Sequence, residues 1–365
     1  VYAFIFFLNF ILIYTIFAVY AERKISAFIQ DRYGPMETGP YGLLQTVADL
    51  LKLLQKEDIV PLAADRKLFK PAPVILFVSV FAGFAVFPLT SGFGGSNIET
   101  GVFYLLAIVS LDVVGILMAG WGSNNKYAIL GAVRAVAQII SYEIPLGLTV
   151  VCVIMVSQSL NLQDIIYQQG IFINDLDPQA QNYLFGIKAL GIETTEIGGF
   201  FTWNIFRVPL FLIAYPIFFI ASLAEANRAP FDIPIAESEL VAGFHVEYSG
   251  FRWSMIMLSE YGMMLLVSFL GAMLFFGGWN TALPNIGSLA LADWTSGVPG
   301  TWGGHLWGAF WLISKALLTV GVQIWIRWTY PRLRIDQLMN LSWKYLTPAA
   351  IILVLLSALW RLLMI

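Results

Sequence analysis

The chain has 365 residues, 59% of them hydrophobic and 12% charged, with a mean hydropathy of +0.77. A soluble domain carries about 25% charged residues, so a soluble fold is excluded and a polytopic membrane protein is implied. The net charge of −3 is uninformative because charges segregate by side, and the single cysteine, Cys152, excludes a disulfide framework or an iron–sulfur cluster held by this chain alone.

In chain order, eight apolar runs are near the length that crosses hydrocarbon, roughly 20 residues each. They are 1–20, 71–89, 102–121, 133–157, 205–223, 255–276, 306–326 and 345–363. The fold class is therefore all-α, a single membrane domain of about eight spans over 1–365. The chain starts at Val1 without Met, which suggests that a few N-terminal residues are missing. No small-residue cleavage site follows, so no cleavable signal is expected.

After the first span, Gly34-Pro35 and Gly39-Pro40 punctuate the chain and a helical pattern follows over 41–56. Leu43, Val47, Leu50 and Leu54 fall on one face, opposite Gln45, Asp49, Lys52 and Lys56. That is an amphipathic helix lying on the membrane surface. It either rests on lipid as a connector or walls an apolar cavity open to the bilayer, and periodicity by itself favours the connector. Further on, 158–204 is rich in Asn, Gln and Asp and is expected to hold only short helices.

Sixteen of the 20 Lys and Arg residues fall in one set of loops, from Arg23 and Lys24 through Arg228 and Arg252 to Arg334 and Lys344. The positive-inside rule puts these loops in the cytoplasm, or its matrix equivalent. With eight spans both termini are then external, as are 158–204 and 277–305.

The loop 224–254 stands out. It is pinned between two spans, and Glu225 and Glu260 bracket Asp232, Glu237, Glu239 and Glu247. Acids crowded at a membrane boundary are costly unless they function. Like charges at close range cannot all ionise, so such a set shares protons, as a proton relay requires. Glu143, in mid-span before Pro145, joins the candidates, although a permanently protonated acid bonded to a neighbouring helix would have the same sequence. Asp112 lies in the third span with no second acid nearby in sequence and is a weaker relay candidate. His245 and His305 lie far apart and make no zinc or haem spacing.

Several motifs occur together: Ala21-Glu-Arg-Lys24, Gln30-Asp-Arg-Tyr-Gly-Pro35, Gly120-Trp-Gly-Ser-Asn-Asn-Lys-Tyr127, Ser141-Tyr-Glu143, Glu225-Ala-Asn-Arg-Ala-Pro-Phe-Asp232, Glu247-Tyr-Ser249, Ser259-Glu-Tyr261 and Tyr330-Pro-Arg-Leu-Arg-Ile-Asp-Gln-Leu-Met339. With these, the chain resembles the quinone-chamber membrane subunit of respiratory complex I, the proton-pumping NADH:quinone oxidoreductase. The resemblance covers essentially every span. It implies a long quinone tunnel enclosed by the first span, the amphipathic helix, the fifth and sixth spans and the loop 224–254. By position, Arg23, Arg32, Asp49, Arg228, Asp232, Met257 and Leu258 match chamber residues, and Glu143, Glu225, Glu237, Glu239, Glu247 and Glu260 match the acidic funnel.

The implied substrate is a quinone, ubiquinone or menaquinone, with no metal or flavin bound and no catalytic residue in this chain alone. The implied partners are peripheral-arm iron–sulfur and quinone-site subunits, small and antiporter-like membrane subunits and the lipid bilayer, with no nucleic acid. The implied location is a bacterial cytoplasmic membrane rather than the mitochondrial inner membrane. The chain departs from the family pattern at Met36-Glu37, where Asn-Arg is usual, at Ile235, where a glutamate is usual, and in the length of 158–204. Two other readings fit the residues less fully. One is the homologous subunit of an energy-converting [NiFe] hydrogenase; the other is a stand-alone proton-coupled transporter, which would show inverted repeats.

Overall fold

The protein was analysed as a computed structural model that describes residues 2–175, 183–187, 191, 193–234, 241–286 and 289–364. Long apolar helices dominate it because a chain crossing hydrocarbon must satisfy its backbone hydrogen bonds within each segment. Among the described residues, seven helical stretches are long and apolar enough to cross a membrane: Ile5–Ile29, Arg66–Val86, Gly101–Gly122, Lys126–Ser157, Gly250–Phe275, Trp302–Thr329 and Ile335–Leu363. They coincide with seven of the eight expected runs. The run expected at 205–223 is the shorter helix Phe211–Glu225, preceded by a single turn at Asn204–Arg207. At 1.5 Å per residue its 15 residues span roughly 22 Å, less than the ~30 Å hydrocarbon thickness.

Most helices overrun their apolar cores. The long helix Lys126–Ser157 begins seven residues before its apolar run at Val133, where the Asn125 side chain caps it by accepting from the Tyr127 N–H. Between 158 and 204 the described residues form only short helices, such as Leu162–Tyr167.

Gly250–Phe275 is the central helix. Every residue from Tyr261 to Phe275 is buried, so it is apolar on all sides rather than amphipathic. Just past its C-terminus the chain meets a cation from a neighbouring helix: Lys315 Nζ donates to the Phe276, Gly278 and Asn280 carbonyls at 2.7, 2.9 and 2.6 Å. A positive group there satisfies orphan carbonyls and complements the helix dipole. Close packing of the helices Leu111–Gly122 and Lys126–Ser157 depends on Gly120, where a Cβ would stand 2.3 Å from the Ala132 Cβ.

The segment after Glu225 does not lie free in solvent. Asn227 takes a left-handed conformation, φ 49°, and the Arg228 N–H closes onto the Leu223 carbonyl at 3.1 Å. The chain then folds back into the bundle, burying Phe231, Ile233, Phe244, His245 and Tyr248. Glu237, Glu239 and Ile235 lie outside the described residues.

Candidate functional site

The amphipathic pattern at 41–56 folds as a 3₁₀ turn at Pro40–Gly42 and a surface helix, Gln45–Gln55. This helix does not merely rest on lipid. With the first helix, the central helix and the end of Trp302–Thr329, it lines a half-open apolar cavity of about 640 Å³. Leu12, Ile16 and Val19 come from the first helix, Leu50, Leu53 and Leu54 from the surface helix, and Met257 and Leu258 from the central helix. Along the first helix the lining runs from Leu12 to Ser26, roughly 21 Å at 1.5 Å per residue. The early part is apolar; Glu22, Arg23, Asp49 and Arg327 gather at the later end. There Arg23 pins the surface helix to the first helix through Asp49 at 2.6 Å.

Glu22 is the centre of that polar end. It is 6% exposed, accepts from the Tyr261 hydroxyl at 2.6 Å, faces Arg228 at 3.3 Å and bonds Arg327. The Arg228 guanidinium lies over the Tyr261 ring, 4.1 Å from its centroid. Burial alone would draw Arg228 down from its ordinary pKa; neighbouring Tyr261 and Glu260 outweigh it and hold the guanidinium above that value. Its Nε and Nη2 have no hydrogen-bond partner among the described residues. A buried cation with free donors beside an apolar cavity suits a polar ligand head that carries oxygen acceptors.

A second, small cavity of about 10 Å³ has room for about one water. Asp112, Glu225 and Glu260, from three different helices, line it together with Asn227 and Ser259. Glu225 lies within electrostatic reach of Asp112 and Glu143, and Glu260 within reach of Arg228, Asp232 and Asp112. Glu143 accepts from the Ser110 hydroxyl. Asp112, Glu225 and Glu260 thus share one cavity, with Glu143 in electrostatic reach of Glu225 and Asp232 in reach of Glu260. Glu225 Oε2 and Glu260 Oε1 are buried without a hydrogen-bond partner among the described residues.

Of the expected chamber residues, Arg23, Asp49, Met257 and Leu258 line the apolar cavity, and Arg228 stands behind it on Glu22. Asp232 pairs with Arg332 at 3.1 Å, and Arg32 is exposed and does not line the cavity. Of the expected relay acids, Glu143, Glu225 and Glu260 come together. Glu247 instead accepts from Asn125 at 2.6 Å, at the start of the long helix.

Four features of the site escaped the sequence reading: Glu22, Tyr261, Arg327 and the place of Asp112 beside Glu225 and Glu260. A signal for Glu22 was available. Phe7, Ile11, Tyr14 and Ala18 form the buried stripe of the first helix, and the next residue at that spacing is Glu22. Among the described residues, no group of three or more His, Cys, Asp or Glu side chains is placed to hold a metal.

A sequence model of the NADH dehydrogenase family matches residues 2–358. The chain belongs to that family. It is 61% identical to the second H-type chain of NADH-quinone oxidoreductase from Cytophaga hutchinsonii, over 98% of this chain and 97% of the relative. It is 52% identical to the H-type chain of the same enzyme from Chlorobium luteolum, over 97% and 87% of the two chains, and 44% identical to that of a Geobacillus species, over 96% and 90%. For a member of the NADH dehydrogenase family, an apolar cavity with one polar end and a group of buried and half-buried acids behind it are the features whose chemistry needs explaining.

Proposed function

We propose that this chain is the membrane subunit of a bacterial NADH-quinone oxidoreductase that receives the quinone and carries the protonic response to its reduction into the membrane. The observation that carries the reading is the meeting of two environments at one ion cluster. The apolar cavity ends on Glu22, and Arg228, which holds Glu22, is within electrostatic reach of Glu260, one of the clustered acids.

An isoprenoid tail suits the cavity between Leu12 and Leu258, where apolar surface leaves water. The head then lies toward Glu22, Arg23 and Arg327. Electrons arrive from a partner subunit with iron–sulfur clusters. Reduction of a quinone to a quinol adds two electrons and takes up two protons, so negative charge develops beside Arg228 before protons arrive. That charge changes the field at Glu260, and the shared protons of Asp112, Glu225 and Glu143 redistribute in response. Antiporter-like membrane partners take up the displaced charge. The basic loops face the cytoplasm, and both termini lie outside.

The test uses the assembled complex in proteoliposomes. Glu225→Gln and Glu143→Gln each abolish proton translocation coupled to quinone reduction, while NADH oxidation by an artificial electron acceptor is unchanged. Normal quinone-linked pumping in both variants overturns the proposal.

A further inference from the structure

We propose that Ser342 and Trp343, on the last membrane helix, are positioning residues for Glu143, acting through the backbone hydrogen bond that Pro145 removes from the long helix. The inference rests on the reading of Glu143 as a relay acid and names what sets that residue's place.

Pro145 has no N–H, so the carbonyl four residues earlier, that of Ser141, loses its helical donor. Such a carbonyl in hydrocarbon must find another donor. Here the donor comes from a different helix: the Ser342 hydroxyl donates to the Ser141 carbonyl at 2.5 Å. Next to it, the Trp343 indole N–H donates to the Ser141 hydroxyl at 3.2 Å. On a regular helix, adjacent residues point about 100° apart. Ser342 and Trp343 both reach Ser141 from within a π-helical segment, Leu341–Leu346, a geometry that recurs at functional sites. The Tyr142 hydroxyl adds a third cross-link, to the Leu338 carbonyl at 3.0 Å. Ser141, Tyr142 and Ser342 are all buried.

Glu143 follows directly. The turn that carries it lacks one of its own helical hydrogen bonds and is tied to the last helix by three cross-links, and its carboxylate accepts from Ser110. The field at Glu143 is therefore set by a side-chain clamp between helices. A displacement of the π segment moves the acid relative to Glu225.

The clamp has a distinctive consequence. Pro145→Ala restores an N–H for the Ser141 carbonyl and makes the Ser342 hydroxyl redundant. In the assembled complex in proteoliposomes, Ser342→Ala is expected to lower quinone-linked proton translocation about three- to tenfold, the net worth of one hydrogen bond. It also shifts the pH dependence of translocation, with artificial-acceptor activity unchanged. The double variant Pro145→Ala/Ser342→Ala is expected to recover both translocation and the wild-type pH profile.

Should Ser342→Ala fail to assemble, Trp343→Phe, which removes only the indole donor, carries the same pH readout. An unshifted pH profile, or a double variant no better than the single one, overturns the proposal. If Glu143→Gln blocks pumping while that cycle is additive, the clamp falls and the relay reading stands. If Glu143→Gln pumps normally, the relay reading falls with it.

Discussion

Glu22 receives hydrogen bonds from Tyr261, Arg228 and Arg327, donors on three separate segments. Its charge is the counter-ion for two guanidiniums, Arg327 at the end of the apolar cavity and Arg228 behind it. Breaking a buried pair by removing one partner costs about 3–5 kcal/mol, because the other charge is left uncompensated. Glu22→Gln is therefore expected to lower the thermal stability of the complex and the yield of assembled enzyme, and Arg228→Gln in the same background to recover part of the loss. Equal melting temperatures for wild type and Glu22→Gln would show that the cluster contributes nothing to stability.

His245 gives a residue-scale pH prediction. Burial pushes it down from its ordinary 6.5 to about 4. Between those values the unfolded segment binds a proton that the folded one does not, so stability rises with pH through the window and falls on acidification. The full loss amounts to about 3 kcal/mol at 1.36 kcal/mol per pH unit. Hydrogen exchange over residues 241–249, corrected for intrinsic rate, is expected to speed up at pH 5 relative to pH 7 in wild type and not in His245→Leu. Identical behaviour of the two would show that the histidine does not govern this segment. No sequence pattern hints at this, because a loop histidine looks exposed until the backbone that buries it is known.

At the scale of elements, hydrophobic length made the spans legible, since each membrane helix must satisfy its own backbone. It misjudged their ends: polar residues such as Lys126 and Arg327 continue helices past the apolar run. The π segment at Leu341–Leu346 was invisible because an extra residue per turn leaves no mark on composition. Helix proximity was equally hidden, although the glycines encode it. Gly120 is in contact range of Ala132 and Ala128, whereas nothing lies within 4 Å of a Cβ at Gly147. Gly120→Ala is thus expected to destabilise the complex by about 1–3 kcal/mol through overpacking. Gly147→Ala, on the long helix itself, should be neutral or slightly stabilising, since Ala favours the helix by about 1 kcal/mol over Gly. Thermal shift of the two purified complexes compares them, and a matching loss in both would refute the overpacking at Gly120.

At the scale of the whole molecule, the chain brings an apolar cavity and a group of buried and half-buried acids to a common ion cluster. The acids were legible in sequence because charge in hydrocarbon is conspicuous. The cavity was not, since its walls are ordinary leucines and methionines, and periodicity at 41–56 favoured a helix merely resting on lipid. Only the packing of the surface helix against the first and central helices decides between the two. The proposed occupant makes that decision measurable.

If the apolar walls hold an isoprenoid tail, each buried CH₂ contributes up to about 0.8 kcal/mol. The KM for quinone, expressed as concentration in the membrane to remove partitioning, is then expected to fall as the tail lengthens and to level off once the cavity is filled. Leu53→Asn places a polar amide on the wall lined by the surface helix and is expected to raise KM for long-tailed quinones while leaving short-tailed quinones and kcat nearly unchanged. Tail length would be irrelevant to KM if the head alone were recognised. A Leu53→Asn effect equal for all tails would place the damage at the ion cluster rather than along the wall.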